Sequence, residues 1–123
     1  MATIKSYTDL QQSKKLAEIL PLESADMWYD NNGESIAGRP EVRCGSFVGL
    51  ASINIPCWSF ATLLCVLPIL DNRSPVIPKT FDGKYRVLYH STTYEQAILT
   101  SDYDNPIDAC VEMILKLHEL NLL

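Results

Sequence analysis

Between residues 44 and 70 the chain carries no charged side chain: CGSFVGLASINIPCWSFATLLCVLPIL, 27 residues out of 123. Such a run is either a membrane span or the centre of a hydrophobic core. A spanning helix needs about 20 mostly apolar residues without strong breakers. Here Gly45, Gly49, Asn54, Pro56 and Pro68 interrupt the run. Residues 57–67, between the two prolines, would rise only about 16 Å as a helix, roughly half a hydrocarbon core. No Lys/Arg cluster sits on one side to set an orientation. The run is therefore expected to be the core of a soluble domain, with no membrane association.

Its centre predicts a helix over 57–67. Pro56 suits a first helical position, Asn54 is a cap just upstream, and Pro68 forbids continuation. Trp58, Ala61, Leu64 and Cys65 share one face, with Phe60, Leu63 and Leu67 adjoining. A helix apolar nearly all round is expected to be the buried central helix.

The flanks supply two more helices. One is expected over about 8–20, with Thr8 and Gln11 at capping-box spacing, a stripe of Leu10, Leu16, Ala17 and Leu20, and a stop at Pro21. The other is expected over 105–119. It is capped by Asp104 or Asn105, carries Pro106 in its first turn and Asp108 near its positive end, and follows the 3.6 period through Ile107, Cys110, Val111, Ile114, Leu117 and Leu120.

Strands are expected near 26–30, with Met27 and Tyr29 on one face, and weakly over 34–37 beyond an Asn31-Asn32-Gly33 turn. Others are expected over 42–48, over 85–90 after an Asp82-Gly83 turn, and over 96–100 returning antiparallel. On 85–90, Tyr85, Val87 and Tyr89 alternate with Arg86, Leu88 and His90. Paired strands between helices point to an α+β fold: three helices (about 8–20, 57–67 and 105–119) packed on a small antiparallel sheet, in a single domain spanning 1–123.

Composition narrows the function. The net charge of −5 and ten dispersed basic residues argue against nucleic-acid binding. The polar start MATIKSYTDLQQSKK lacks the basic and apolar regions of a secretory signal. Cys44, Cys57, Cys65 and Cys110 therefore read as reduced cysteines of a cytoplasmic protein. No nucleophile is tied to a base. Cys110 and His118 would stand about 12 Å apart along one helix, and Cys57 or Cys65 could meet His90 only through tertiary folding. Cysteines at such long spacing make no zinc site, and Asp102, Asp104 and Asp108 read as helix-capping residues without an EF-hand pattern. The scattered glycines form no phosphate loop. No catalytic residue, cofactor or metal is expected.

The aromatics outside the apolar run are the remaining candidates. Tyr85, Tyr89, His90 and Trp28 could form an interaction or pocket surface, or the tyrosines could cover a core edge. With the tail Leu120-Asn121-Leu122-Leu123, they motivate a protein partner or self-association. The alternative is a small-molecule binder or hydrolase with a pocket near Tyr85, Tyr89 and His90.

Three segments also carry a resemblance: Lys15-Leu16-Ala17-Glu18-Ile19-Leu20-Pro21, Pro56-Cys57-Trp58-Ser59-Phe60-Ala61-Thr62-Leu63-Leu64 through Leu67-Pro68, and Asp104-Asn105-Pro106-Ile107-Asp108-Ala109-Cys110-Val111-Glu112-Met113-Ile114. They resemble small proteins without an established activity from Bacteroides-type gut bacteria and their phages or mobile elements. The resemblance covers about half the chain and rests on caps, proline stops and core faces. It implies an intracellular accessory protein, of a mobile element, and transfers no functional residue.

Overall fold

A computed structural model describes residues 5–29, 41–42, 55–70, 72–90 and 97–123, with only the backbone described at 41–42. The fold is α+β. In chain order it contains α1 (Leu10–Ala17), a short 3₁₀ turn (Leu22–Ser24), β1 (Met27–Tyr29), β2 (Glu41–Val42), β3 (Ile55–Cys57), α2 (Phe60–Val66), β4 (Leu88–Tyr89), β5 (Ile98–Leu99) and α3 (Pro106–Glu119). The strands form two small antiparallel sheets rather than one, ordered β2-β1-β3 and β4-β5. The expected turn at 31–33, the strand at 34–37 and the remainder of the strand at 42–48 lie outside the described residues. The chain divides into two compact units, residues 6–62 and residues 63–123 with Lys5, and the division falls within α2.

In the first unit, α1 begins one residue later than the Thr8/Gln11 pattern implies. Asp9 is its cap: Asp9 Oδ1 accepts the Gln12 amide at 2.8 Å, and Gln12 Oε1 accepts the Asp9 amide at 3.0 Å, a full capping box. Leu16 and Leu20 are buried, as the stripe requires, but so is Ser13.

β1 is the central strand of its sheet and β3 an edge, with Met27 opposite Cys57, Trp28 opposite Pro56 and Tyr29 opposite Ile55. Pro56 therefore lies in a strand and does not open the helix. An edge strand tolerates a proline because its missing N–H need not be part of the ladder. The helix instead starts at Phe60, where Asp26 organises the first turn. Asp26 Oδ1 accepts the Ser59 amide (2.9 Å) and Thr62 Oγ1 (3.0 Å), and Oδ2 accepts Ser59 Oγ (2.6 Å). Leu63 and Leu67 are buried, whereas Ala61, Leu64 and Cys65 face out, Leu64 at 41% exposure. The expectation that this helix is enclosed on most sides is thus corrected. Of its seven residues only Leu63 is buried, and the apolar Ala61/Leu64/Cys65 face is exposed.

In the second unit the pairing extends well beyond β4 and β5. Residues 84–89 run between two antiparallel neighbours. On one side lies 76–80, joined by the Val76–Leu88 and Lys79–Tyr85 bridges; on the other lies 98–103, joined by β5 and the Tyr85–Tyr103 bridge. The turn at Thr80-Phe81-Asp82-Gly83 closes the first hairpin. The Gly83 amide donates to the Thr80 carbonyl (3.0 Å), and Gly83 adopts φ +82°, where a side chain would be strained. The Thr80 hydroxyl donates to Asp82 and accepts the Lys84 amide.

The second pairing contains a bulge. Tyr85 is opposite Tyr103, but Leu88 is opposite Leu99, so the 98–103 side holds one extra residue. Thr100 repairs the ladder there: its amide donates to the Val87 carbonyl (3.0 Å), and its Oγ1 accepts the Val87 amide (3.0 Å). Thr100 is 2% exposed, so replacing it with valine strands a buried N–H. Thr100→Val is expected to cost about 1–3 kcal/mol, read as a lower urea midpoint, with Thr100→Ser retaining most of the stability.

α3 follows its predicted pattern closely. Asn105 Oδ1 accepts the Asp108 amide at 2.9 Å, Pro106 occupies the first turn, and Ile107, Cys110, Val111, Ile114 and Leu117 are buried together with Ala109 and Met113. Each of the Ile, Val, Leu and Met side chains contributes about 1.5–3 kcal/mol of burial when fully removed from water. The stripe stops short of Leu120, which is 51% exposed. There the helix ends in a Schellman arrangement. Asn121 takes φ +58°, its amide donates to the His118 carbonyl (3.1 Å), and the Leu122 amide reaches back to the Leu117 carbonyl (2.9 Å).

Candidate functional site

The residues singled out from the sequence are divided between the two units. Trp28 belongs to the first unit and is half-buried, whereas Tyr85, Tyr89 and His90 belong to the second. Strand alternation turns Tyr85, Val87 and Tyr89 to one face, and that face is the core side: Val87 is fully buried and Tyr89 is 2% exposed. The Tyr89 hydroxyl donates to the Pro68 carbonyl at 2.7 Å. Burial, with Cys110 beside it, raises the phenol well above its usual pKa. Tyr89 is therefore a core residue with a satisfied hydroxyl and offers no contact surface. Tyr85 is half-buried with the Lys79 ammonium 5.7 Å from its ring centre. His90 lies on the opposite, exposed side of the strand.

The opposite face of the strand is ionic. Tyr85 pairs with Tyr103, so Lys84 faces Asp104 and Arg86 faces Asp102 directly across the strands. Lys84 Nζ lies 2.5 Å from Asp104 Oδ1, and Arg86 Nε lies 2.9 Å from Asp102 Oδ1. Opposite charges in facing positions fix register while adding only tenths of a kcal/mol, up to about 1, per pair.

The first unit contains a buried polar cluster that the sequence pattern did not indicate. Thr8 and Ser13 are fully buried, as is Cys57, and Tyr29 is nearly so. Thr8 Oγ1 accepts the Trp58 amide (3.1 Å), lies 2.8 Å from Ser13 Oγ and donates to Cys57 Sγ (3.5 Å). The Thr8 carbonyl accepts both Tyr29 Oη (2.8 Å) and Cys57 Sγ (3.4 Å). The signal available in the sequence was Ser13 itself, which stands on the helical face of Leu16 and Leu20 at i, i+3 and i+7. Hydroxyls on a surface-length helix read as solvent-facing, and the pattern concealed this one.

This cluster holds its nucleophiles in their protonated form. Burial pushes the Cys57 thiol up despite the hydroxyls that favour its thiolate, and burial likewise raises Tyr29. In the second unit, burial alone pushes the Cys110 thiol up to about 12. No lysine, arginine or histidine hydrogen-bonds the cluster among the described residues. Its chemistry is that of a hydrogen-bonded pin joining α1, β1 and β3.

Cys57, Cys65 and Cys110 are all free, and only Cys65 is exposed. In a Cys44→Ser background, Cys65 is expected to react promptly with Ellman's reagent at pH 8, with Cys57 and Cys110 reacting only on unfolding. The raised thiols also set the response to base. Their folded pKa values exceed the unfolded ones, so their contribution to stability is complete below the unfolded thiol value. It is lost as pH rises from 9.0 towards about 12, by about 1.4 kcal/mol per pH unit for a single group. Urea midpoints are expected to fall above pH 9, and to fall less steeply in Cys110→Ala.

Among the described residues no three His, Cys, Asp or Glu side chains converge as a metal site, and no helix is long and apolar enough to cross a membrane. Hydrophobic side chains stand out from the second unit: Phe81 at 109% exposure, Ile69 at 70%, and Leu120, Leu122 and Leu123 around the end of α3. Phe81 sits on the Thr80–Gly83 turn, whose hydrogen bonds hold the ring outward. Compared with known proteins, the chain matches no family model, no curated protein and no solved structure.

Proposed function

We propose that this is a non-enzymatic protein-interaction protein of the cytoplasm, an accessory factor of a phage or mobile element, whose contact surface lies on the second unit. The observation that carries the reading is Phe81. An aromatic ring held at a structured hairpin tip with no packing of its own adds nothing to the fold, and its whole surface is available to a partner. The leucines at the end of α3 extend the exposed apolar surface of the same unit. The cysteine chemistry agrees, because Cys57 and Cys110 are held as thiols and not as thiolates. The source assignment rests on the resemblance of the three segments described above.

The test compares the wild type with Phe81→Ser, a substitution that leaves the turn hydrogen bonds in place. Crosslinking in cells that carry the protein, followed by affinity recovery, is expected to yield a discrete complex for the wild type and its loss for Phe81→Ser, with unchanged circular dichroism. Equal recovery by both proteins, or none by either, overturns the reading.

A further inference from the structure

The two edges of the sheet in the second unit are finished differently. At the 98–103 edge, side chains of α3 occupy the outward backbone groups: Lys116 Nζ donates to the Leu99 carbonyl (2.7 Å), and Glu112 Oε2 accepts the Ser101 amide (2.7 Å). Among the described residues the 76–80 edge has no such cover. Val76 and Leu88 exchange two bonds of 2.9 Å, the Arg86 amide reaches the Pro78 carbonyl at 3.5 Å, and the Thr80 amide reaches the Lys84 carbonyl at 2.6 Å. Alternation along the strand then turns the N–H and C=O of Ile77 and Lys79 outward, where no backbone bond is formed among the described residues. Pro78 does not block this side, because its missing N–H faces the inner strand. Pro75 and the turn at 80–83 limit the open stretch to 77–79.

The strip is also positive. Residues 72–80, Asn-Arg-Ser-Pro-Val-Ile-Pro-Lys-Thr, include two cations and no carboxylate in a chain of net charge −5. Arg73 and Lys79 are exposed. The neighbouring cations are already engaged, Lys84 with Asp104, Arg86 with Asp102 and Lys116 with Leu99. We propose that this edge accepts an extended acidic peptide of a partner protein as an added antiparallel strand. The outward groups of Ile77 and Lys79 supply the main-chain bonds, Arg73 and Lys79 meet its carboxylates, and Phe81 contacts it beyond the turn. A second copy is disfavoured as the occupant, since it would bring the same two cations against this edge. The proposal rests on the protein-interaction reading and names the partner's chemistry.

The test uses the full chain and three labelled heptapeptides. These are Glu-Val-Glu-Val-Glu-Val-Glu, its lysine counterpart, and the acidic peptide N-methylated at alternate residues. The acidic peptide is expected to bind by fluorescence anisotropy, to weaken with salt, and to slow amide exchange at Ile77 and Lys79 in NMR spectra. The lysine and N-methylated peptides are expected to bind at least about tenfold more weakly. Ile77→Pro, which removes an outward N–H and leaves the bonds of Val76 and Thr80 to the inner strand without a lost donor, is expected to weaken the acidic peptide by a similar factor. The proposal is overturned by no binding at millimolar peptide, by equal binding of the lysine or N-methylated peptide, by protection confined to other residues, or by dimers that protect Ile77 without peptide. The N-methylated peptide keeps the test decisive even where Ile77→Pro misfolds. If the peptides fail while Phe81→Ser still loses its partner, the edge proposal falls and the interaction function stands.

Discussion

Trp58→Ala is expected to lower the unfolding free energy by about 3–5 kcal/mol, a large share of the roughly 5–15 kcal/mol that holds a domain of this size folded. Trp58 is fully buried, and its indole Nε1 donates to Ser24 Oγ at 2.9 Å, which itself donates to the Pro21 carbonyl at 2.6 Å. The ring thus fills the core and ties the 3₁₀ turn to the start of α2. Trp58→Phe separates the two roles. It keeps most of the volume and loses one hydrogen bond, and is expected to cost about 1–2 kcal/mol. Urea denaturation followed by far-ultraviolet circular dichroism measures both. A Trp58→Ala midpoint within experimental error of the wild type would show that the indole is not part of the core.

The second large effect is expected at Thr8. Thr8→Val preserves shape but removes the oxygen that accepts the Trp58 amide and faces Ser13 Oγ and Cys57 Sγ. Two buried donors, the Trp58 N–H and the Ser13 hydroxyl, then lose their acceptor, at a combined cost of about 2–4 kcal/mol. Thr8→Ser retains the hydroxyl and is expected to recover most of this, at the cost of one methyl group. The Thr8→Val, Ser13→Ala double variant supplies the control. Removing both partners leaves fewer orphaned groups, so the two costs are expected to sum to less than additivity gives.

These two residues also mark where the sequence was and was not legible. α3 could be read almost residue by residue, because Asn105-Pro106 and the stripe from Ile107 to Leu117 are local signals and the structure keeps them local. The segment around Pro56 could not. A proline before an apolar run reads as a helix start, yet Pro56 pairs with Trp28 in a strand, and the helix start is set by Asp26, more than thirty residues away. The apolar run likewise gave no sign that Leu64 and Cys65 face solvent, since periodicity cannot distinguish two apolar faces of one helix. Of the candidate site, alternation correctly grouped Tyr85, Val87 and Tyr89, but whether that face is core or surface depends on what covers it. The open edge at 77–79 was hidden for a different reason. Backbone groups are the same in every residue, and only the pairing shows which of them are spent.

The bulge at Thr100 has a consequence for how this gene can drift. Upstream, the hairpin keeps one constant register from Val76 to Leu88, and its tip is solvent-exposed, so added codons beside Phe81 can loop out without disturbing the ladder. Between Leu99 and Tyr103 the frame has no such slack. Losing one codon would erase the extra residue, turn Leu99 and Ser101 away from Lys116 and Glu112, and exchange inside for outside along the rest of the strand. Length variation in relatives of this chain should therefore collect at the hairpin tip and be absent from those five positions.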